Sequence, residues 1–207
     1  MDRSGSVVNR TAYCFDLDGT LTSLEILPCI AAELGISEEI ATLTRITMEG
    51  LLTFEESLRL RIAILGQVPL QSVQAIVNDI PLDPRLTTFV QSRPNQCFIV
   101  TGNLDIWVNQ VIERIGCGGY TSAATAKNGV ISLRHILDKG DAIKSIRNRG
   151  FERVIAIGDG SNDVPMFKEA DSAIAFGGTH SPTPAAIAES NFVVHDGNTL
   201  CKLLNTL

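Results

Sequence analysis

The chain lacks several common signatures, and each absence excludes a class of function. Positive charge is not in excess: 17 Lys and Arg stand against 23 Asp and Glu, a net charge of −6. No basic field therefore exists to attract a nucleic acid. The five cysteines, at 14, 29, 97, 117 and 201, are odd in number and form no C-x-x-C pair. Neither a zinc site nor a disulfide framework is implied. Cys14 and Cys97 fall inside apolar runs, where cysteine acts as a small hydrophobe, and a reducing compartment fits. No apolar run reaches membrane length, and the first ten residues hold no apolar signal core. The expectation is a soluble cytoplasmic protein with neither a membrane nor a nucleic acid as partner. The three histidines, His135, His180 and His195, share no spacing and read as surface or structural residues. Internal repeats and low-complexity segments are also missing, and oligomeric state is left open.

What is present is an ordinary globular balance, with 44% hydrophobic and 19% charged residues in 207. That suits one main domain with room for a small insertion. An apolar β-prone segment, Tyr13-Cys14-Phe15, leads directly into Asp16-Leu17-Asp18-Gly19-Thr20-Leu21-Thr22. Side chains alternate along a strand, so Asp16 and Asp18 start out aimed at one spot where the strand ends. Residues 23–80 then carry helical periodicity. Ile26, Leu27, Ile30, Ala31 and Leu34 outline a first helix ended by Gly35, and Ile40, Leu43 and Thr47 a second stopped by Gly50. Thr53 and Glu56 form a capping box for a third, and a short fourth covers 70–78. Pro81 and Pro84 close the block.

Beyond it, strands and helices alternate: a strand over 96–100, a helix over 104–115, a helix over 139–149, a strand over 153–157 and a helix over 162–170. Short strands follow at 172–176 and 191–194. Residues 120–134 are ambiguous, with a hairpin signal at Asn128-Gly129. The alternation predicts an α/β fold: a Rossmann-like parallel sheet flanked by helices, with a small helical cap inserted after the first strand. On this division the core spans 1–22 and 81–207, and the cap spans 23–80.

A second acidic cluster follows the strand at 153–157. Asp159 stands at its tip and Asp163 four residues on. Ligands of parallel α/β sheets bind at the carboxyl ends of the strands, so the two clusters should converge. Together they fit a hard cation, and Mg²⁺ needs only one or two carboxylates plus water and substrate phosphate. Between them, Phe98-Ile99-Val100 ends in Thr101 and Gly102, with Asn103 placed to cap the next helix. Lys139 opens a helix, where a cation opposes the dipole. That mild cost hints at a job such as meeting a phosphate oxygen.

These four elements, in this order and spacing, resemble the haloacid dehalogenase-type phosphohydrolases, over nearly the whole chain. The resemblance is greatest to the phosphoserine phosphatase branch, whose helical cap follows the first motif. It implies Asp16 as the nucleophile that becomes an aspartyl-phosphate, and Asp18 as the acid and then the base. Thr101, with Gly102 beside it, and Lys139 would hold the phosphoryl oxygens. Asp159 would bind Mg²⁺ together with the Asp16 carboxylate and the Asp18 backbone carbonyl, while Asp163 would bind or orient the metal shell. Asn162 matches a position near the phosphate.

The substrate must be read from the cap. Arg61 interrupts an apolar stripe of Phe54, Leu58 and Leu65. It is either a snorkelling stem or a guanidinium aimed at a carboxylate. Glu25 matches a T-x-x-E capping box with Thr22, or else faces a substrate ammonium. In the phosphoserine branch the matching glutamate takes the amino group and the matching arginine the carboxylate. Met48 and Phe54 match apolar positions there that pack on the substrate. The implied function is a Mg²⁺-dependent phosphatase of small phosphomonoesters, with phosphoserine favoured. Transfer of the phosphoryl group to an amino-alcohol such as homoserine is the alternative, and a non-catalytic binding protein on the same fold is a third reading. One departure stands out: the branch has glycine where this chain has Asn103.

Overall fold

The computed structural model describes residues 10–48 and 51–207, with the side chain of Met48 outside the described set. The expected stop at Gly50 and the expected Met48 contact both lie outside the described residues. The first strand, β1 (Thr11–Phe15), is buried almost throughout. Four helices follow: α1 (Ile26–Ala32), α2 (Ser37–Met48), α3 (Phe54–Leu65) and α4 (Leu70–Asp79). Gly35, at φ 66°, turns the chain between α1 and α2. The capping box forms as expected, with Thr53 Oγ1 accepting from Glu56 N–H and Glu56 Oε2 accepting from Thr53 N–H. The helix α5 (Pro84–Gln91) follows at once, with Asp83 accepting from Arg85 and Leu86 N–H at its start.

The second half alternates as the sequence predicts. It runs β2 (Cys97–Leu104), α6 (Asp105–Ile115), β3 (Gly118–Lys127), β4 (Val130–His135), α7 (Lys139–Arg147) and β5 (Arg153–Gly158). It continues through a 3₁₀ turn (Ser161–Asp163), α8 (Val164–Glu169), β6 (Ser172–Phe176), α9 (Pro184–Ala188), β7 (Phe192–Val194) and α10 (Gly197–Leu204). The ambiguous stretch is the β3–β4 hairpin. Asn128 (φ 53°) and Gly129 (φ 77°) both sit at positive φ, as a type I′ turn requires.

The strands form one sheet in the order β4-β3-β2-β1-β5-β6-β7. All neighbours are parallel except the β3–β4 pair. The first strand is therefore central, flanked by β2 and β5. Register aligns Phe15 with Ile99 and Ile157, so β1 and β5 end side by side while β2 runs on past them to Leu104. Apolar layers cover both faces. One is built on Phe15, Ile99 and Ile157 with Trp107 of α6 and Leu86 of α5; the other on Cys14, Val100 and Ala156 with Ile143 of α7 and Met166 of α8. Leu58 of α3 and Ile30 of α1 join the first layer, so the inserted helices share its core. Among the described residues, no single helix is long and apolar enough to cross a membrane.

Candidate active site

The three adjacent strands β1, β2 and β5 deliver their side chains to one place. Asp16 follows β1 directly, and its N–H still donates to Ile157 O at 2.8 Å, so the carboxylate is held at the sheet's edge. The chain then folds into a tight turn, with Leu21 N–H and Thr22 N–H both donating to Leu17 O. Thr22 Oγ1 locks it by accepting from Gly19 N–H and donating to Leu17 O. Gly19 stands at φ 72°, and a Cβ there would lie 2.9 Å from Glu25 Oε1 and 3.3 Å from Asp159 Oδ2. Glycine is thus required twice over, by backbone and by crowding.

This turn, rather than strand alternation, places Asp18. Its Oδ1 accepts from Ile26 N–H at 2.7 Å, on the first residue of α1. The structure therefore corrects the capping reading of Thr22 and Glu25. Thr22 is spent on the turn, Glu25 makes no cap hydrogen bond, and Asp18 satisfies the helix end instead.

Opposite, β5 ends at Gly158, and the 3₁₀ turn brings Asp163 back beneath it. Asp163 Oδ2 accepts from Asp159 N–H (2.9 Å) and Gly160 N–H (2.8 Å). A Cβ on Gly158 would fall 2.3 Å from Asp163 Oδ2, so only glycine admits this return. Lys139, the first residue of α7, is 3% exposed and enters the cluster from the side. Its Nζ directs a hydrogen bond to Asp163 Oδ1 at 2.5 Å and lies 2.7 Å from Asp16 Oδ1 as an ion pair. Asp159 Oδ1 accepts from Thr20 Oγ1 at 3.1 Å.

Three buried carboxylates, Asp16, Asp159 and Asp163, thus offer oxygens within 4.8 Å of one another against one buried ammonium. The electrostatics register the imbalance. Burial, then the charge of Asp163, holds the Asp16 carboxyl well above the usual carboxylate range, against the pull of Lys139. Burial and Asp163 likewise push Asp159 up to about 7. Burial, then Glu25, raises Asp18 well above its ordinary value. Burial alone would lower the Lys139 ammonium, but Asp16 and Asp163 more than reverse it. A hard divalent cation is what such an oxygen-rich, undercompensated cluster fits.

The phosphate seat expected on β2 sits beside this cluster. Register between β2 and β3 slips after Val100, and Thr101, Gly102 and Asn103 line the cleft. Asn103 does not cap the next helix, as the sequence suggested: Leu104 takes the N-cap position without a side-chain bond. Asn103 is buried instead, donating from its N–H and from Nδ2 to Thr101 Oγ1, both at 3.2 Å. A Cβ on Gly102 would lie 2.6 Å from Phe54 Cζ, so the first residue of α3 rests directly on the β2 loop.

Between the inserted helices and the sheet lies a cavity of about 650 Å³. Asp16, Asp18, Glu25, Phe54, Arg61, Thr101, Gly102, Asn103, Asp159 and Asn162 all line it. Lys139 and Asp163 stand behind that surface, bonded to one another. Arg61 Nη2 donates to Thr44 Oγ1 at 2.8 Å, while its Nε is buried with no partner. Burial lowers the guanidinium's pKa, and the charges of Asp18 and Glu25 oppose that. The snorkelling alternative for Arg61 therefore fails, because its head is in the cleft.

Three residues of the site, His180, Thr20 and Thr44, have no role in the sequence reading. His180 also lines the cavity, with Nε2 2.7 Å from Glu25 Oε1 and 3.2 Å from Asp159 Oδ2, and Nδ1 3.1 Å from Ser181 O. The Glu25 hydrogen bond is the main cause that lifts its pKa to about 9. Its only sequence signal was the Gly- and Pro-rich loop around it. Of the other two, Thr20 stands inside the first motif.

With the geometry in hand, comparison with known proteins is decisive. The sequence model of the haloacid dehalogenase-like hydrolases matches residues 14–168. The chain belongs to that family. It is 32% identical to a phosphoserine phosphatase of Methanocaldococcus jannaschii, over 78% of this chain and 83% of that one. Among solved structures it resembles a phospho-aspartyl intermediate analogue of phosphoserine phosphatase, with a TM-score of 0.80 and 28% identity over 94% and 98% of the two chains. A substrate-bound phosphoserine phosphatase complex matches at a TM-score of 0.80 and 27% identity, over 96% and 98%. As a member of this family the chain is a hydrolase built for phosphoryl chemistry.

Proposed function

We propose that the protein is a Mg²⁺-dependent phosphatase of small phosphomonoesters, with phosphoserine as substrate and the phosphoryl group carried transiently on Asp16. The observation that carries the reading is the placement of Asp16. It is a buried carboxylate at the end of the central strand, paired with Lys139 and with oxygens within 4.8 Å of those of Asp159 and Asp163. A cation would be held by Asp16, Asp159 and the Asp18 backbone carbonyl, with Asp163 orienting the shell from behind. Both Asp163 oxygens are already engaged, by Lys139 and by two backbone N–H groups. When bound, Mg²⁺ supplies positive charge against the phosphate and lets an anionic nucleophile approach it.

The chain's own residues then divide the work. An Asp16 oxygen attacks phosphorus, the ester P–O bond breaks, and the leaving oxygen takes a proton from Asp18. Asp18 suits that step, because burial and Glu25 keep it protonated above the ordinary carboxylate range. In the second step Asp18 takes a proton from water, water oxygen attacks the aspartyl-phosphate, and Asp16 is released with inorganic phosphate. Thr101, the Gly102 backbone and Lys139 hold phosphoryl oxygens, and Lys139 neutralises charge that grows in the transition state. Asn162, on the cavity wall, is assigned to the phosphate as well.

The remainder of the substrate faces the inserted helices, which we read as a cap over 23–80 on a core of 1–22 and 81–207. Arg61 lines the cleft and would grip a carboxylate with its guanidinium. Glu25, just ahead of α1, also lines the cavity and would take an ammonium. Phe54 closes the contact over Gly102. The names of the relatives, phosphoserine phosphatases, agree with a small ester bearing both charges. The test is phosphate release from a panel of phosphomonoesters with Mg²⁺ or EDTA. Metal-dependent release fastest from phosphoserine supports the reading, and preference for a sugar phosphate over phosphoserine refutes the substrate.

A further inference from the structure

Arg61 is held in the cavity by the neighbouring helix. Ile40, Thr44 and Thr47 recur on one face of α2 at helical spacing. Two side-chain bonds run from that face to α3. Thr44 Oγ1 accepts from Arg61 Nη2 at 2.8 Å, and Thr47 Oγ1 lies 2.7 Å from Ser57 Oγ. Thr44 Oγ1 in turn donates to Ile40 O at 3.1 Å. A hydroxyl has a single hydrogen to give. That hydrogen is spent within α2, so the Thr44 oxygen meets the guanidinium as a fixed acceptor. Asp18 and Glu25 line the same cavity, and their charges act on Arg61. Yet the one side-chain hydrogen bond that Arg61 makes among the described residues goes to the neutral Thr44. The guanidinium is thus fixed in place without being neutralised by its partner.

We propose that Thr44 is a positioning residue for substrate binding, whose hydroxyl holds the Arg61 guanidinium ready for a substrate carboxylate. The inference rests on the phosphoserine reading and deepens it. A guanidinium carries five N–H groups in a rigid fork, and the Thr44 bond uses one of them. An acidic side chain in place of Thr44 would hold Arg61 equally well, but it would cancel the charge the substrate needs. An aliphatic one would free the long arginine stem to swing toward Asp18 and Glu25, which attract it. Either way the guanidinium is withdrawn from an incoming anion, and binding must first bring it back. Thr44 acts only through Arg61, so its loss falls on substrates that carry a carboxylate.

The experiment uses the whole chain with Mg²⁺ and an aryl phosphate as reporter substrate. Competitive inhibition constants are measured for phosphoserine and for phosphoethanolamine, which keeps the ammonium and lacks the carboxylate. The ratio of the two constants reads the carboxylate contact whatever the basal rate becomes. In Thr44→Val the phosphoserine constant should weaken by about tenfold, the low end for a hydrogen bond to a charged group, with phosphoethanolamine unchanged. Thr44→Ser keeps the hydroxyl and should keep the ratio. Thr44→Ala carries the test if the valine variant does not fold. Ser57→Ala breaks the other bond between α2 and α3 and should leave the ratio alone. An unchanged ratio in Thr44→Val overturns the proposal. So does a shift in Ser57→Ala as large as that in Thr44→Val, because the register of the helices, not the hydroxyl, would then set the effect. Arg61→Ala separates the two readings. If it shifts the ratio and Thr44→Val does not, the tether alone is wrong; if it does not shift the ratio, the carboxylate reading of Arg61 is wrong and the proposal falls with it.

Discussion

Replacing Lys139 by methionine should expose how the cluster is balanced. The ammonium is 3% exposed, 2.5 Å from Asp163 Oδ1 and 2.7 Å from Asp16 Oδ1. Methionine fills similar volume but leaves two buried carboxylates facing each other with no cation. Removing one partner of a buried pair costs about 3–5 kcal/mol, against about 0–1 kcal/mol for an exposed pair. In a chain of this size that lowers the melting temperature by roughly 10 °C. The loss should grow with pH. With the cation gone the Asp16 carboxyl rises further above its unfolded value, so the folded state holds a proton the unfolded state releases, and stability falls as pH rises. A second change, Asp163→Asn on top of Lys139→Met, removes one of the stranded charges and should restore at least about 1 kcal/mol. Urea unfolding in EDTA at pH 5.5 and 7.5 measures all of this. A loss below about 1 kcal/mol at pH 7.5 would mean the pair behaves as an exposed one, and the electrostatic account of the site would be wrong.

Other perturbations address the remaining parts. In Gly102→Ala, the new methyl would meet the Phe54 ring at 2.6 Å, so kcat/KM should drop about tenfold or more, and Phe54→Leu in the same chain should recover part of it; steady-state kinetics on the two variants decides. Arg61→Ala should raise KM for phosphoserine by about 10²-fold while changing KM for an aryl phosphate little, since only the former has a carboxylate to lose; equal effects on both would remove Arg61 from the substrate. Asp159 has its pKa raised to about 7 in the folded chain, above its unfolded value. Metal-free stability should therefore fall as pH rises toward 7, and the gain on adding Mg²⁺ should be larger at pH 7.5 than at pH 5.5. Thermal unfolding with and without Mg²⁺ checks this, and a larger gain at the acidic pH would contradict it.

Much of this architecture could be read from the sequence because it depends on local pattern. Apolar runs that end in acidic residues mark β1 and β5, and the Asn128-Gly129 turn marks the hairpin. Helical spacing and the Thr53–Glu56 box mark the inserted helices. The start of α5 is also legible, in Asp83 followed by Pro84, because proline suits the first position of a helix as well as the close of a preceding block. The failures share one physical cause: they depend on contacts far apart in the chain. His180 reaches a glutamate 155 positions away, which no spacing rule can foresee. Asp18, rather than Glu25, satisfies the start of α1, because the Gly19 turn bends it there. Asn103 serves Thr101 instead of a helix end, since β2 runs on to Leu104 past an irregularity in its pairing.

The most direct test of the central claim is to catch the phosphoryl group on the protein. The enzyme should be mixed with phosphoserine and Mg²⁺, quenched in acid during turnover, digested, and sequenced by tandem mass spectrometry. The account predicts a phosphoryl increment on Asp16 alone, lost on longer incubation and absent from Asp16→Asn. Turnover with no labelled peptide at any quench time, or a label on another residue, would contradict it.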